Sequence, residues 1–170
     1  MKPRISFLIA TKNRSHIIKD TIDSFINQEV EDWEAIIVDD HGNDNTQKVV
    51  EQYQDNRLRY FKLSDIHGFG ASCARNLAAI YANSEIVAIS DSDDISYSNR
   101  ILLTLNSFDK NPDADIFYGN IDVWEEATGI VRSRKTPFFP YSFEKIKDIH
   151  FIPHSTVAMK REVLLNNPYN

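Results

Sequence analysis

Short, nearly unbroken apolar runs alternate along the chain with segments whose apolar residues recur every third or fourth position. Ile5 to Ala10 is the first run. Its lack of polar alternation predicts a strand buried on both faces, as in a parallel sheet. Thr11-Lys12-Asn13-Arg14 follows as a polar loop, with Ser15 a candidate helix cap. Ile17, Ile18, Ile22, Phe25 and Ile26 then carry the spacing of an amphipathic helix. Ala35 to Val38 is a second apolar run that ends at Asp39-Asp40. A polar turn, His41 to Asn45, leads into a short helix holding Val49, Val50 and Tyr53.

Leu58 to Leu63 alternates apolar and charged residues and predicts a third strand. After the His67-Gly68-Phe69-Gly70 loop, Ser72 to Ala82 reads as a small-residue helix with Leu77, Ile80 and Tyr81 toward the core. Ile86 to Ile89 predicts a fourth strand ending at Asp91-Ser92-Asp93-Asp94. A helix with Ile101, Leu102, Leu105 and Phe108 on one face follows and stops at Asn111-Pro112-Asp113. Strand and helix thus alternate with short connections, which demands an α/β fold with a mostly parallel central sheet and helices packed on it. Beyond Asp115 the rhythm changes. Ile116 to Trp124 predicts one strand, Ile130 to Arg134 returns across a turn at Thr128-Gly129, and Ser155 to Met159 predicts another strand before a helix from Arg161.

Neither an internal repeat nor an inter-domain linker breaks the 170 residues, so a single domain is expected. Hydrophobic residues make up 42% of the chain, enough for a packed core. The formal charge of −6 argues against a broad basic face and hence against nucleic acid as a partner. Cys73 is the only cysteine, so no intrachain disulfide forms, and no apolar run reaches the roughly 18 to 20 residues of a membrane span. These features point to a cytoplasmic protein.

In parallel α/β sheets, ligands sit beyond the carboxyl ends of the strands. Thr11-Lys12-Asn13, Asp39-Asp40 and Asp91-Ser92-Asp93-Asp94 all fall at that edge, and their coincidence makes a site there the better reading. The Asp91–Asp94 cluster would repel itself unless a cation joins it, and hard oxygen ligands suit Mn²⁺ or Mg²⁺. An exposed turn capping the next helix remains the alternative for that tetrapeptide. No Gly-x-Gly-x-x-Gly follows the first strand and no Gly-Lys-Ser/Thr occurs, which removes most support for dinucleotide and P-loop readings.

The stretch Ile5 to Thr46 resembles the start of family 2 glycosyltransferases, through Thr11, Asn13, Arg14, Asn27-Gln28, Trp33-Glu34, Val38-Asp39-Asp40, Asp44 and Thr46. Gly68, Gly70, Ala71 and Ala74-Arg75-Asn76 resemble the family's Gly-x-Ser-x-Ala-Arg-Asn segment, and Asp91-Ser92-Asp93-Asp94 its Asp-x-Asp motif. The resemblance implies a GT-A (Rossmann-like) sandwich with helices on both faces. It implies transfer of a sugar from a nucleoside-diphosphate donor, UDP-linked, to an acceptor hydroxyl with inversion, in polysaccharide or cell-surface glycan synthesis. The acceptor would be a glycan or a lipid-linked species, with peripheral association of the full-length protein at the inner face of the membrane.

By the same resemblance, Asp40 would accept a hydrogen bond from the base, Ala10 and Thr11 would line the base pocket with Asn13 beside them, Asp91 with Ser92 would approach the ribose, and Asp93 would ligate the metal. Arg75 would sit near the nucleotide, or pair with Asp39 or Asp91 to hold the loop. His154 is a candidate for diphosphate or metal, against a structural histidine as the alternative. The run Arg132 to Lys135 would meet an anionic acceptor or a lipid carrier, or else be a solvated loop. Departures from the family pattern stand at Ala10, Lys12 and His41-Gly42-Asn43. Residues 1–96 would form the nucleotide-sugar half and 97–170 the start of the acceptor-side half. The catalytic base is expected beyond Asn170, in a protein of which this chain is a part. Two other classes remain in view. A sugar nucleotidyltransferase should carry a glycine in its first loop, where Thr11-Lys12-Asn13-Arg14 has none, and a non-catalytic nucleotide-sugar-binding module would hydrolyse no donor.

Overall fold

The computed structural model describes residues 2–135 and 152–170. Its central sheet has six strands in the order β3-β2-β1-β4-β8-β5. The strands β1 (Ile5–Thr11), β2 (Trp33–Asp39), β3 (Leu58–Lys62) and β4 (Ile86–Asp91) are parallel to one another. The last two, β5 (Ile116–Phe117) and β8 (Ala158–Lys160), run antiparallel to their neighbours. A separate hairpin pairs β6 (Ile121–Glu125) with β7 (Ile130–Arg134) across the turn at Thr128-Gly129. The mostly parallel α/β sheet expected from the alternating pattern is therefore present.

Every residue of β2, and all of β1 except Ala10, is buried, because helices cover both faces. On one face Phe7, Ile9, Ala35 and Ile37 meet Ile22 and Phe25 of α1 (Ile18–Ile26), Val50 of α2 (Thr46–Glu51), and Ile101 and Leu105 of α4 (Arg100–Lys110). On the other, Leu8, Ile36, Val38 and Ile89 meet Ala74 and Leu77 of α3 (Ala71–Tyr81) and Leu164 of α5 (Arg161–Asn166). The period-two alternation of side chains along each strand sorts these residues into the two layers. Each fully buried Ile or Phe stabilises the layer by roughly 1.5 to 3 kcal/mol.

The amino edge of the sheet is tied by a buried carboxylate. Glu34 accepts hydrogen bonds from the Ser6 hydroxyl at 2.6 Å, the Asn83 backbone N–H at 2.6 Å, the Asn83 amide at 2.9 Å and Arg59 at 2.9 Å. Burial alone would raise its pKa, but these donors outweigh burial and hold the carboxyl below its ordinary value of 4.5. The aromatic–glutamate pair at Trp33-Glu34 is thus a structural feature. Trp33 packs in the core while Glu34 links β1, β2, β3 and the turn before β4.

Five expectations need correction. Ser15 does not cap α1. The helix starts at Ile18 with no side-chain cap, and the Ser15 N–H donates to Asp44 instead. Ile80 is 57% exposed, because the narrow small-residue stripe of Ala74, Leu77 and Ala78 already fills the contact between α3 and the sheet. The single strand predicted over Ile116 to Trp124 is two, β5 in the main sheet and β6 in the hairpin, separated at Tyr118-Gly119-Asn120. The strand expected from Ser155 begins only at Ala158, after a 3-10 turn over His154–Thr156. Leu102 is only partly buried, while Ile101, Leu105 and Phe108 are buried as expected. Among the described residues no helix is long and apolar enough to cross a membrane.

Replacing Glu34 by Ala removes the one acceptor shared by the buried Ser6 hydroxyl, the Asn83 N–H and amide, and the Arg59 guanidinium. The expected loss is roughly 2 to 4 kcal/mol in denaturant unfolding. Because the folded pKa of Glu34 is depressed, its contribution is complete above about pH 4.5 and fades as pH falls through the folded value. The stability difference between parent and Glu34→Ala should therefore shrink on acidification below that point. A difference that stayed constant down to pH 3 would remove Glu34 as the source.

Candidate active site

Strand register brings the polar strand ends together. Ala10 lies beside both Val38 and Asp91, and Thr11 lies beside Asp39. The Asp40 N–H continues the ladder onto the Thr11 carbonyl at 2.8 Å. Thr11 is buried, and its hydroxyl has no hydrogen-bond partner among the described residues. Ala10, partly buried, packs against the Leu8–Ala74 layer.

Each carboxylate at this edge has its own partners. Asp39 is buried, accepts the Gly42 N–H at 2.7 Å and receives the Tyr60 hydroxyl. Burial, and then the Asp39 bond, push the Tyr60 phenol well above its ordinary value of 10. Asp40 meets Lys12 Nζ at 3.4 Å and His41 Nδ1 at 3.1 Å. Burial would raise its pKa, but the Gly70 backbone N–H, His41 and Lys12 together hold it below 3.8. Gly70 has φ +95 at the start of α3, a left-handed conformation that suits glycine. Asp91 receives Arg75 Nη2 at 2.7 Å, and Asp93 meets Arg14 at 3.3 Å. Of the two pairings considered for Arg75, the structure shows the one with Asp91. The Arg75 Nε is buried without a partner among the described residues.

The loops after β1 and β2 are laced together. Asn13 sits at φ +54, a region asparagine tolerates better than most residues, and its side-chain oxygen accepts the Asn43 N–H at 2.8 Å. The Arg14 N–H donates to Thr46 Oγ1 at 3.0 Å, and the Ser15 N–H to Asp44 at 2.8 Å. Asp44 also receives the Thr46 N–H at 2.9 Å and hydroxyl at 2.6 Å. Against the opposing effect of burial, these bonds from Thr46 and Ser15 hold its carboxyl far below the usual range. Asn13, Asp44 and Thr46 therefore shape the loop that carries Asp40. His41, at φ +57, stacks on Phe69 with ring centroids 4.3 Å apart. A Cβ on Gly42 would stand 2.5 Å from Asp39 Oδ1, so a side chain there would require the Asp39 carboxylate to shift.

Beyond β4 the chain turns through Ser92, which is buried, toward α4. Arg100 at the start of α4 donates to the Ile89 and Ser155 carbonyls, both at 2.6 Å, and to Ser96 Oγ at 2.9 Å. Burial lowers this guanidinium to about 10, with Asp94 and Asp91 opposing that shift, so it stays charged at neutral pH. It joins the end of β4 to the turn that carries His154. His154 Nε2 lies 2.8 Å from the Tyr169 hydroxyl. Burial and the Arg75 charge push its pKa below 6.5, while Asp91 acts in the other direction.

The structure thus gathers Ala10, Thr11, Asp40, Arg75, Asp91, Ser92, Asp93 and His154 at one edge, and gives Asn13 a loop-forming bond. It does not converge the Asp91–Asp94 carboxylates. Among the described residues no three His, Cys, Asp or Glu side chains stand close enough to form a metal site. Arg75 pairs with Asp91 and Arg14 with Asp93. Arg100 and Tyr169 carry no sequence signal of their own, one a lone arginine opening a helix and the other a tyrosine after a proline, and the Ala74-Arg75-Asn76 motif does not disclose the contact of Asn76 with Tyr169. The run Arg132 to Lys135 is exposed, with Arg132 3.8 Å from Glu125.

A sequence profile described as Glycosyl transferase family 2 matches residues 6–166. Among curated proteins, the chain is similar to an Escherichia coli enzyme, UDP-Glc:alpha-D-GlcNAc-diphosphoundecaprenol beta-1,3-glucosyltransferase WfgD. Identity is 32% over 119 residues, covering 70% of this chain and 46% of the relative. Among solved structures, S. aureus TarS 1-349 in complex with UDP-GlcNAc matches with a TM-score of 0.75 at 23% identity, covering 98% of this chain and 47% of that one. The mannosyltransferase PcManGT from Pyrobaculum calidifontis, in complex with GDP-Man and Mn²⁺, matches with a TM-score of 0.72 at 17% identity, covering 100% and 48%. The chain spans about half the length of these relatives, and its fold is the GT-A sandwich.

If Asn13 shapes the loop, Asn13→Ala combines left-handed strain with loss of the bond to Asn43, and should cost about 1 to 2 kcal/mol in thermal or denaturant unfolding. Asn13→Gly relieves the strain and should cost less than Asn13→Ala. The reverse order would show that backbone conformation at this position is unimportant.

Proposed function

This chain belongs to glycosyl transferase family 2, and we propose that the carboxyl edge of its sheet binds the nucleotide of a nucleoside-diphosphate sugar, UDP-linked, for transfer to an acceptor hydroxyl. The observation that carries this reading is the strand register, which sets Ala10, Thr11 and Asp91 on adjacent parallel strands with Asp40 one residue beyond β2. Asp40 accepts the N3–H of the base. A carboxylate has about four lone-pair positions, so it keeps capacity beyond its bonds to His41, Lys12 and Gly70. Thr11 and Ala10 border the base, with Asn13 holding the loop behind it, and Asp91 with Ser92 meets the ribose. Residues 1–96 supply the donor half and residues 97–170 open the acceptor side.

A divalent cation, Mg²⁺ or Mn²⁺, fits the residues present. Asp93 offers a hard oxygen ligand, its side chain is 41% exposed, and its pairing with Arg14 at 3.3 Å is a surface contact that exchanges at little cost. Mg²⁺ typically takes one or two carboxylates and completes its shell with substrate phosphates and water, so a single aspartate suffices. When bound, the ion supplies charge neutralisation for the leaving diphosphate. Arg75, already drawn to Asp91, adds fixed positive charge on the same side.

The transfer itself is an inverting displacement. The acceptor oxygen attacks the anomeric carbon, the bond to the diphosphate oxygen breaks with its electron pair, and the hydroxyl proton passes to a base. No residue of this chain is assigned as that base. The acceptor is a glycan or lipid-linked sugar, in keeping with the diphosphoundecaprenol substrate in the name of the E. coli relative. Work on a lipid-linked acceptor would bring the full-length protein to a membrane surface.

Calorimetry with this chain should show UDP binding in Mg²⁺ or Mn²⁺ that loses most of its affinity in a chelator, with GDP bound more weakly than UDP. Equal UDP affinity in metal and in chelator would remove the ion from the site.

Asp40→Asn should weaken UDP binding by roughly 1.5 to 3 kcal/mol, the range for a hydrogen bond to a charged group, without unfolding the chain. Unchanged UDP affinity in this variant would make Asp40 a turn residue only.

A further inference from the structure

α5 and the segment after it are held against α3 at two places. At one end of α3, Arg161 donates from Nε to the Ala79 carbonyl at 2.7 Å and from Nη2 to the Ile80 carbonyl at 2.8 Å. These are carbonyls of the last helical turn, where a cation is favoured both by the unpaired acceptors and by the helix dipole. Further toward the start of α3, Asn76 clasps the backbone of Tyr169. Its amide donates to the Tyr169 carbonyl at 2.8 Å and its oxygen accepts the Tyr169 N–H at 3.0 Å. A side-chain amide that closes both backbone groups of one residue fixes that residue's position and direction. The Tyr169 ring is thereby directed at the turn that carries His154.

There the Tyr169 hydroxyl meets His154 Nε2 at 2.8 Å, and the two rings pack edge to face with centroids 5.5 Å apart. Asn76 is the chain neighbour of Arg75, which is bonded to Asp91. Both rings feel the charges of Arg75 and Asp91. Burial favours the neutral imidazole and the neutral phenol, so the contact joins two uncharged groups and is not an ion pair. In a neutral imidazole the bond made by one nitrogen decides the proton state of the other. Without that bond the ring is free to flip and to exchange tautomers.

We propose that Tyr169 is a positioning residue of the donor site, and that its hydroxyl, set by the Asn76 clasp, fixes the orientation of the His154 ring beside the Arg75–Asp91 pair. The role rests on reading this edge as the donor site, and it assigns His154 and Tyr169 to the diphosphate end rather than to the base end. Among the described residues no hydrogen bond joins Tyr169 to Ala10, Thr11 or Asp40. A defect at Tyr169 should therefore separate the two ends of the ligand.

The test uses Tyr169→Phe, which keeps the ring contact and removes only the hydroxyl. UDP and uridine are titrated in Mg²⁺ against parent and variant, and the ¹⁵N resonances of the His154 imidazole are recorded without ligand. UDP affinity is expected to fall about two- to tenfold, the range for one neutral hydrogen bond. Uridine affinity should stay at the parent level, and the His154 ring should move from one tautomer to a mixture. Asn76→Ala, which releases the clasp, should reproduce the pattern, and it decides the matter if Tyr169→Phe does not fold. Parent-like UDP affinity with an unchanged His154 spectrum overturns the role, as does an equal loss for UDP and uridine. A parent chain that binds no UDP sinks the donor-site reading instead, and the ligand-free His154 spectrum still decides whether Tyr169 orients the ring.

Discussion

Like-charge repulsion at one edge of the sheet is the constraint that organises this molecule. Parallel strands in register deliver Asp39, Asp40 and Asp91 to neighbouring positions, and the turn beyond β4 adds Asp93 and Asp94. Carboxylates collected in this way would open the edge without donors among them, and Asp39, Asp40, Asp91 and Asp93 each have one. The partners come from every surrounding element. Lys12 and Arg14 rise from the loop after β1, Tyr60 from β3, Gly70 and Arg75 from the start of α3, and Gly42 from the loop after β2. The positions of those elements are thus coupled to the acidic edge, as the opposite edge is coupled to Glu34.

The partners differ in how firmly they are bound. Arg75 is 16% exposed and has a short bond to Asp91, whereas Lys12 and Arg14 are 53% and 43% exposed and stand 3.4 and 3.3 Å from their carboxylates. Exposed pairs of the second kind contribute little to stability. They can exchange toward an incoming anion with little loss, while Arg75, Tyr60 and the backbone donors keep the frame in place. A rigid inner set with a yielding outer set is a sound arrangement for an edge that must accept and release a charged ligand.

Much of this was legible in the sequence, for identifiable reasons. Ile5 to Ala10 and Ala35 to Val38 are almost wholly apolar, and with helical segments between them such runs fit doubly covered parallel strands. The polar residues after them had to lie at one edge because parallel strands end on the same side. Legibility failed where a residue's role depends on a distant partner. Ser15 looks like a cap, yet its N–H is taken by Asp44 from the next loop. Ile80 looks like core, but the buried stripe of α3 is Ala74, Leu77, Ala78 and Ala79, and Ile80 lies outside it. The apolar stretch from Ile116 to Trp124 gives no hint that β5 joins the main sheet while β6 pairs with β7. Tyr169 and Asn76 lie far apart in the chain, and no local spacing could have joined them.

The tight approach of Gly42 to Asp39 sets a limit on how this loop can be diversified. A methyl group there would have to displace the carboxylate behind it, which is itself buried and held by Tyr60. Its two neighbours are in a different position. His41 faces the site and stacks on an exposed ring, and Asn43 is exposed with its N–H tied to Asn13. A library meant to alter ligand preference here should randomise positions 41 and 43 and leave 42 untouched. The same spacing rule gives a reading for distant sequences: a larger residue at the position of Gly42 goes with a carboxylate moved at the position of Asp39.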